Sequence, residues 1–148
     1  VKCLSVTTRS ALFSFGSMLY EMVAGVKALG FDAWPYELPV LVLSRQLADT
    51  PVPDALKGRV RFSSGSPEEA MAELDRLGKR RVYVDGGQLV QSFLRAGLIT
   101  DMVITQVPVL IGAGKPLFGA LPHDIDLQLV SSRSFPSGLV QSCYRVAP

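Results

Sequence analysis

Short apolar runs alternate with amphipathic helix patterns along most of the chain, and this alternation most constrains the fold. The helix patterns begin near Ser17, Ser66 and Gly87. The apolar runs that indicate strands are residues 2–7, 11–15, 40–44, 59–62, 81–84 and 102–111. Strands that alternate with helices are typical of a largely parallel sheet with helices packed on it. The near-continuous apolarity of residues 102–111 further indicates a strand that is buried on both faces.

The end of the chain follows a different pattern. Apolar Ile125, Leu127 and Leu129 alternate with polar residues, which is typical of a half-buried strand. Turn residues at 134–138 then separate this segment from a last strand at 139–147. We therefore predict an α/β fold with a mixed, mostly parallel central sheet, helices on both faces and a C-terminal antiparallel hairpin.

Two of the predicted helices begin in different ways. The helix that follows Ser66 has a capping box, with Pro67 at its first position and Glu69 three residues after the cap, and Gly78 ends it. The helix that starts at Gly87 is preceded by Gly86 instead of a capping side chain. Bare glycines at a helix start indicate that a ligand approaches the backbone there.

Composition and length limit the possible functions. The 148 residues suit one domain covering 1–148, with 48% hydrophobic and 19% charged residues. A net charge of +2 favours neither nucleic acid nor an anionic membrane as a partner. No apolar run approaches the roughly 20 residues of a membrane helix, and no signal peptide is evident, so we expect a cytoplasmic protein. The first residue is Val1, which indicates that the printed chain is not the whole translated product.

The cysteines and the histidine give little evidence of chemistry. Cys3 and Cys143 lie in strand-like segments, where we expect buried thiols rather than a disulfide. His123 is the only histidine, and without clustered cysteines the sequence predicts no metal site.

Two strand-to-helix turns contain small residues, at Gly16–Ser17 and at residues 85–88. A helix N-terminus offers free N–H groups and a partial positive charge, so such turns suit a phosphate. Each turn alone is equally compatible with a tight connection, but the pair in one sheet favours a nucleotide. Ser44 and Arg45, at the end of another strand, suit either an extra phosphate on a ribose or a solvated surface position.

The glycine-rich segment 111–118, "IGAGKPLF", matches neither common nucleotide motif. Lys115 precedes Pro116 rather than Ser or Thr, and the glycine spacing differs from that of a dinucleotide fingerprint. We interpret the segment as a loop that leaves a buried strand and forms a wall of a substrate site.

Residues 82–118 combine a strand, a diglycine, a helix ending in Gly-Leu, an acidic residue and the pattern P-x-x-x-G-x-G-x-x-L-F. The matching residues are Gly86, Gly87, Leu89, Gly97, Leu98, Asp101, Pro108, Gly112, Gly114, Leu117 and Phe118. This stretch resembles the dihydrofolate reductase-like superfamily, and most closely the C-terminal reductase domain of the bifunctional riboflavin-biosynthesis deaminase/reductase and its stand-alone relatives. The upstream segments "ALFSFGSMLYEMV", "WPY" and "LVLSR" fit the same family in order.

The resemblance implies an NADPH-dependent homodimer that transfers a hydride to a pterin, pyrimidine or related small heterocycle. It places the cofactor pyrophosphate on Gly86, Gly87, Gln88 and Leu89, with Gly16 and Ser17 on the other side of the cofactor. It places the adenosine 2′-phosphate on Ser44 and Arg45. It places the substrate near Val107, Pro108 and Leu110.

The chain also departs from the family pattern. Gly16 is followed by Ser17, Met18 and Leu19 where the family has Gly-Arg-x-Thr, so two polar side chains are missing. The connection near residues 8–11 is too short for a parallel crossover of about a dozen residues, which predicts that residues are absent there. The sequence identifies no general acid. A non-catalytic protein that binds a nucleotide or heterocycle, and a purely structural dimer, therefore stay open beside the reductase.

Overall fold

The computed structural model describes residues 5–6, 39–79 and 81–147. Within these ranges the chain forms six strands, two α-helices and a 3₁₀ helix at Asp54–Leu56. The strands are β1 (Ser5–Val6), β2 (Val40–Leu43), β3 (Val60–Ser63), β4 (Asp101–Gln106), β5 (Leu127–Ser134) and β6 (Val140–Val146). The helices are α1 (Pro67–Arg76) and α2 (Gly87–Arg95). No helix in the described ranges has the length and apolarity needed to cross a membrane.

The described strands pair into two sheets. One has the order β1-β4-β6-β5, with β1 parallel to β4 and the other pairs antiparallel. The other consists of β2 and β3, which are parallel. The α/β class and the C-terminal hairpin are confirmed, whereas a single central sheet with helices on both faces stays a prediction.

Strand β4 is shorter than its apolar pattern predicts. It ends at Gln106, five residues before Ile111, because its partner β6 begins at Val140, directly opposite Gln106. Pro108 also lacks the N–H group that a longer ladder would use. Residues 81–84, a fifth expected strand, are not assigned as one, although Val84 is buried.

The main core lies between α2 and β4. Its buried residues are Val84, Val90, Phe93, Leu94, Ile99 and Met102. Met102 and Val103 are successive in β4 and both are buried, and successive side chains point to opposite faces of a strand. The predicted burial on both faces is therefore seen at Met102, Val103 and Thr105, whereas Gln106 at the end of β4 is exposed.

Strand β5 is not the half-buried strand that its alternation predicts. All eight of its residues are exposed, and Leu129 and Val130 retain 56% and 58% of their accessible surface. The pattern was misleading because alternation shows only that one face could be buried, whereas both faces of β5 stay accessible, and a register shift between Leu129 and Ser131 interrupts its pairing with β6. Cys143, in β6, is a free thiol as expected, but it is half-buried rather than buried.

Several expectations concern the first 38 residues. The second strand, the helix after Ser17, the turn at Gly16, Cys3 and the short connection near residues 8–11 all lie outside the described residues.

Candidate functional site

The diglycine turn forms the start of α2, as the sequence predicts. Gly86 is the N-cap residue and has a φ of 95°, a conformation that favours glycine over residues with a side chain. Its carbonyl oxygen accepts the first helical hydrogen bond, from Val90 N at 2.8 Å. Its N–H donates to Asp85 Oδ1 at 2.7 Å. Gly86 is therefore required by the backbone of the turn itself.

The next three N–H groups face outward from the helix start. The N–H groups of Gly87, Gln88 and Leu89 donate to no described residue. No side chain caps the helix, and its first turn contains no acidic residue. A Cβ on Gly87 would meet no described atom within 4 Å apart from its chain neighbours and the backbone of its own helix. Among the described residues, the helix start thus combines donors without acceptors, the positive end of the helix dipole and space beside Gly87, which fits a phosphate group.

Ser44 and Arg45 lie at the carboxyl end of β2, beside the end of β3. Ser44 N donates to Ser63 O at 2.8 Å, and Ser44 Oγ accepts from Leu47 N at 3.3 Å. Within the described ranges no group accepts a hydrogen bond from the Ser44 hydroxyl, which can therefore donate to a ligand. Arg45 is exposed, and its guanidinium has no hydrogen-bond or ion-pair partner in the described ranges. An exposed, unpaired guanidinium can bind a phosphate without first breaking an ion pair.

Leu43, the residue before Ser44, packs against the main core cluster. That cluster also contains Val84 and Val90, which lie on either side of the diglycine. Both segments thus contribute to one core, whereas Gly16 and Ser17 lie outside the described residues. That Ser44 and Arg45 share a site with the diglycine stays a prediction.

The predicted substrate residues follow β4. Val107 is half-buried, and Pro108 packs close to the hairpin turn, where a Cβ on Gly138 would lie 3.0 Å from Pro108 Cγ. Leu110 is fully exposed, at 101% of its reference surface. These residues begin a loop with an apolar, accessible surface, and its role as a substrate wall stays a prediction.

Two polar features of this region were missed in the sequence. Thr105 is buried at 6% exposure and accepts a hydrogen bond from Gln141 Nε2 at 3.1 Å, next to the end of β4. Gln91 of α2 bonds to the backbone of the glycine-rich loop. Thr105 is a polar residue inside an apolar run, so the sequence could have indicated its role. The Gln91 contact joins residues 25 and 26 positions apart, and no local pattern indicates it.

The described residues contain no group of three or more His, Cys, Asp or Glu side chains that could hold a metal ion. His123 is exposed in the loop before β5. The described candidate residues offer backbone N–H donors, a hydroxyl, a guanidinium and exposed apolar surface, and the donors and the guanidinium are groups that suit a phosphate.

Comparison with known proteins gives a consistent result. The family model of the RibD C-terminal domain matches residues 36–141. A crystal structure of a Shewanella sp. PV-4 protein, provisionally assigned to riboflavin biosynthesis, is 35% identical with a TM-score of 0.76, over 88% of this chain and 70% of that one. A pyrimidine reductase-like protein of Corynebacterium diphtheriae is 25% identical with a TM-score of 0.53, over 60% of this chain and 38% of that one. RibD of Acinetobacter baumannii shares the fold at 17% identity and a TM-score of 0.57, over 87% of this chain and 45% of that one.

Two curated relatives come from Bacillus subtilis (strain 168), and both are uncharacterised. YyaP is 33% identical over 81 residues, which cover 52% of this chain and 43% of YyaP. YwjB is 30% identical over 77 residues, which cover 51% of this chain and 44% of YwjB. The matched region is thus less than half the length of either relative.

Proposed function

Because this chain belongs to the RibD C-terminal domain family, we propose that it is an NADPH-dependent reductase. Its substrate in this proposal is a pterin, a pyrimidine or a related heterocycle. The pyrimidine reductase-like description of the C. diphtheriae relative supports this class of substrate. The resemblance seen in the sequence points to the same chemistry.

The observation that carries the proposal is the uncapped start of α2. Three consecutive N–H groups have no described acceptor, and the first of them belongs to Gly87, which has space beside it among the described residues. Together they would form a cradle for the cofactor pyrophosphate. A glycine N-cap costs only about a few tenths of a kcal/mol relative to a capping side chain, but it leaves the N–H groups of the first turn without a side-chain acceptor. A bound phosphate would supply the missing acceptors.

The residues of the chain would bind and orient, while the cofactor supplies a hydride when it is bound. Gly87, Gln88 and Leu89 would hold the pyrophosphate through their N–H groups. The Ser44 hydroxyl would donate a hydrogen bond to the 2′-phosphate, and the Arg45 guanidinium would form an ion pair with the same phosphate. Val107, Pro108 and Leu110 would keep water away from one side of the substrate ring.

Cofactor choice provides the sharpest test, because NADPH differs from NADH by one phosphate on the adenosine ribose. A hydrogen bond to a charged group contributes roughly 1.5–3 kcal/mol, so Arg45→Ala should weaken NADPH binding by about ten- to a hundredfold. NADH affinity should stay nearly unchanged. Isothermal titration calorimetry with both cofactors measures the difference.

Arg59→Ala is the matched control. Arg59 is also exposed, but it lies before the amino end of β3, whereas Arg45 follows the carboxyl end of β2. Because the two strands are parallel, the two arginines lie at opposite ends of the pair. It should change neither affinity. Equal losses for both cofactors in Arg45→Ala would mean that the residue acts through folding, and no loss would leave it an ordinary surface arginine.

Turnover separates the reductase from a binding protein of the same fold. Absorbance at the reduced nicotinamide band, followed with a panel of pterins and pyrimidinones, should show cofactor oxidation with at least one of them. Tight NADPH binding without oxidation across the panel would favour the non-catalytic binding protein. Failure to bind either dinucleotide would favour a structural role, with the glycine turns acting as connections.

The exposed edge strand β5 supports a homodimer as part of the proposal. Leu127, Leu129 and Val130 leave apolar surface on an edge whose backbone groups can pair with a second copy. Light scattering at micromolar concentration should give twice the monomer mass of 16.0 kDa. The monomer mass would contradict the proposal.

A further inference from the structure

The loop between β4 and β5 is long and has no regular secondary structure. It runs from Val107 to Asp126, and most of its residues are exposed, including Val109, Leu110 and Ile111. Loops longer than about 12–15 residues without their own secondary structure are uncommon in compact domains and usually functional. Such a loop needs specific contacts if it is to hold one position.

A side chain of α2 supplies such a contact at the middle of the loop. Gln91 Nε2 donates to Pro116 O at 3.2 Å and to Leu117 O at 3.1 Å. Two consecutive carbonyl groups therefore accept from one amide nitrogen. The donor is half-buried, so water competes for it less than for an exposed side chain.

Gly119 lets the loop approach this amide closely. A Cβ at position 119 would collide with Gln91 Oε1 and lie 2.8 Å from Gln91 Cδ, so the end of the glutamine side chain would have to shift. Farther along the loop, Leu121 and Ile125 pack against the core cluster that includes residues of α2. The segment 116–125 is thus held against that helix and the core around it.

The position of Gln91 connects this contact to the cofactor turn. Gln91 is four residues after Gly87, which corresponds to about 6 Å along the helix axis. A rigid helical turn therefore separates the diglycine from the residue that holds the loop. Any ligand anchored at the helix start has a defined distance from the loop.

We propose that Gln91 is a positioning residue, which holds the glycine-rich loop 111–118 in place relative to the phosphate-binding turn. This inference rests on the proposed reductase function, in which the loop borders the substrate. Reaction rates are sensitive to such positioning, because a misplacement of about 1 Å can cost on the order of a hundredfold. Gln91 should therefore affect turnover much more than cofactor affinity.

Two variants test the contact from its two sides. Gln91→Glu keeps the size of the side chain but places a carboxylate, which cannot donate, against two carbonyl oxygens. Gly119→Ala leaves Gln91 intact and pushes it away by steric contact. Gln128→Ala, in exposed β5, is the control for the loss of a glutamine elsewhere.

Backbone order parameters from NMR relaxation measure the loop independently of activity. We expect backbone order parameters of about 0.85 for Leu117 and Gly119 in the unaltered protein and below about 0.6 in both variants. We expect kcat to fall by about ten- to a hundredfold, with the NADPH dissociation constant changed by less than about twofold. The Gln128→Ala control should match the unaltered protein in all three measurements.

Each other outcome overturns a defined part of the inference. Unchanged order parameters in both variants would show that Gln91 does not hold the loop. A mobile loop with unchanged kcat and KM would show that the loop is held but does not position the substrate. An unaltered protein that neither binds NADPH nor turns over a substrate would refute the proposed function and the positioning role with it, while the order parameters would still decide whether the contact exists.

Discussion

The two helices of the described fold begin in opposite ways. At the start of α1, Ser66 Oγ accepts from Glu69 N at 3.2 Å, and Glu69 Oε2 accepts from Ser66 N at 2.8 Å. Two acidic residues occupy its first turn, and hydrogen bonds from the backbone of Glu68 and from the Ser66 side chain lower the pKa of Glu68. At the start of α2, no side chain caps the helix and the first turn has no acidic residue.

This difference separates a helix start that serves folding from one that suits a ligand. The donors and the dipole of α1 are already used by its own side chains, so an anion would find negative charge there. The N–H groups of α2 at positions 87–89 have no described acceptor, so an anion would complete the helix. Three substitutions break or sharpen this contrast.

The largest expected effect is at Gly87, where the fold leaves open space. Gly87→Val would place a side chain in the proposed phosphate position and weaken NADPH binding by about ten- to a hundredfold, since each lost hydrogen bond to a charged group costs roughly 1.5–3 kcal/mol. The free energy of unfolding should change by less than about 1 kcal/mol, because a Cβ there meets no described atom beyond its chain neighbours and its own helix backbone. Calorimetry and urea denaturation measure the two quantities.

Gly97→Ala, at the other end of α2, is the opposite control. Gly97 has a φ of 64°, so a side chain there should cost about 1–2 kcal/mol of stability and leave NADPH affinity unchanged. If Gly87→Val kept its affinity, the diglycine would be only a turn.

A smaller effect is expected when the acidic character of α1 is copied onto α2. Gln88 has the second position of α2, as Glu68 has in α1, so Gln88→Glu would add a carboxylate to the open helix start. Helix stability should rise by about 0.3–1 kcal/mol. NADPH affinity should fall by about tenfold, because the new charge repels the pyrophosphate across a partly solvated gap. The melting temperature should therefore rise, while the NADPH affinity measured by calorimetry should fall.

Gln128→Glu adds the same charge on exposed β5 and should change neither quantity. If affinity survived in Gln88→Glu, the pyrophosphate would have to bind elsewhere.

The smallest effect is expected at the capped helix. Ser66→Ala removes the acceptor of Glu69 N and should lower the free energy of unfolding by about 1 kcal/mol. NADPH affinity should not change, because α1 has no role in the proposed site. A measurable loss of affinity would contradict the division of roles between the two helix starts.

The correct predictions depend on residues that are close together in sequence. The capping box of α1, the glycine that starts α2 and the glycines that follow both helices were all predicted, and the structure confirms them. The family was also identifiable, because its pattern of glycines and apolar residues lies within one stretch of the chain. Candidate site residues such as Gly86, Gly87 and Pro108 lie in the same stretch, residues 82–118.

The predictions that failed depend on a distant partner. The apolar pattern of residues 102–111 predicted one long strand, but β4 ends where β6 begins opposite Gln106. The alternation in β5 predicted a buried face, but β5 is an edge strand and all of its residues are exposed. Neither the end of a ladder nor the cover of a sheet face is encoded in the segment itself.

The sequence alone determined the helix caps, the open diglycine turn, the antiparallel hairpin and the family, because each is encoded in residues within one local segment. Only the tertiary structure decided where β4 stops, that both faces of β5 stay exposed and which residue contacts the glycine-rich loop. The contact of Gln91 with Pro116 and Leu117 shows the reason, since it joins groups 25 and 26 positions apart. Such a contact depends on tertiary packing, since Leu121 and Ile125 of the loop pack against the core cluster to which α2 contributes.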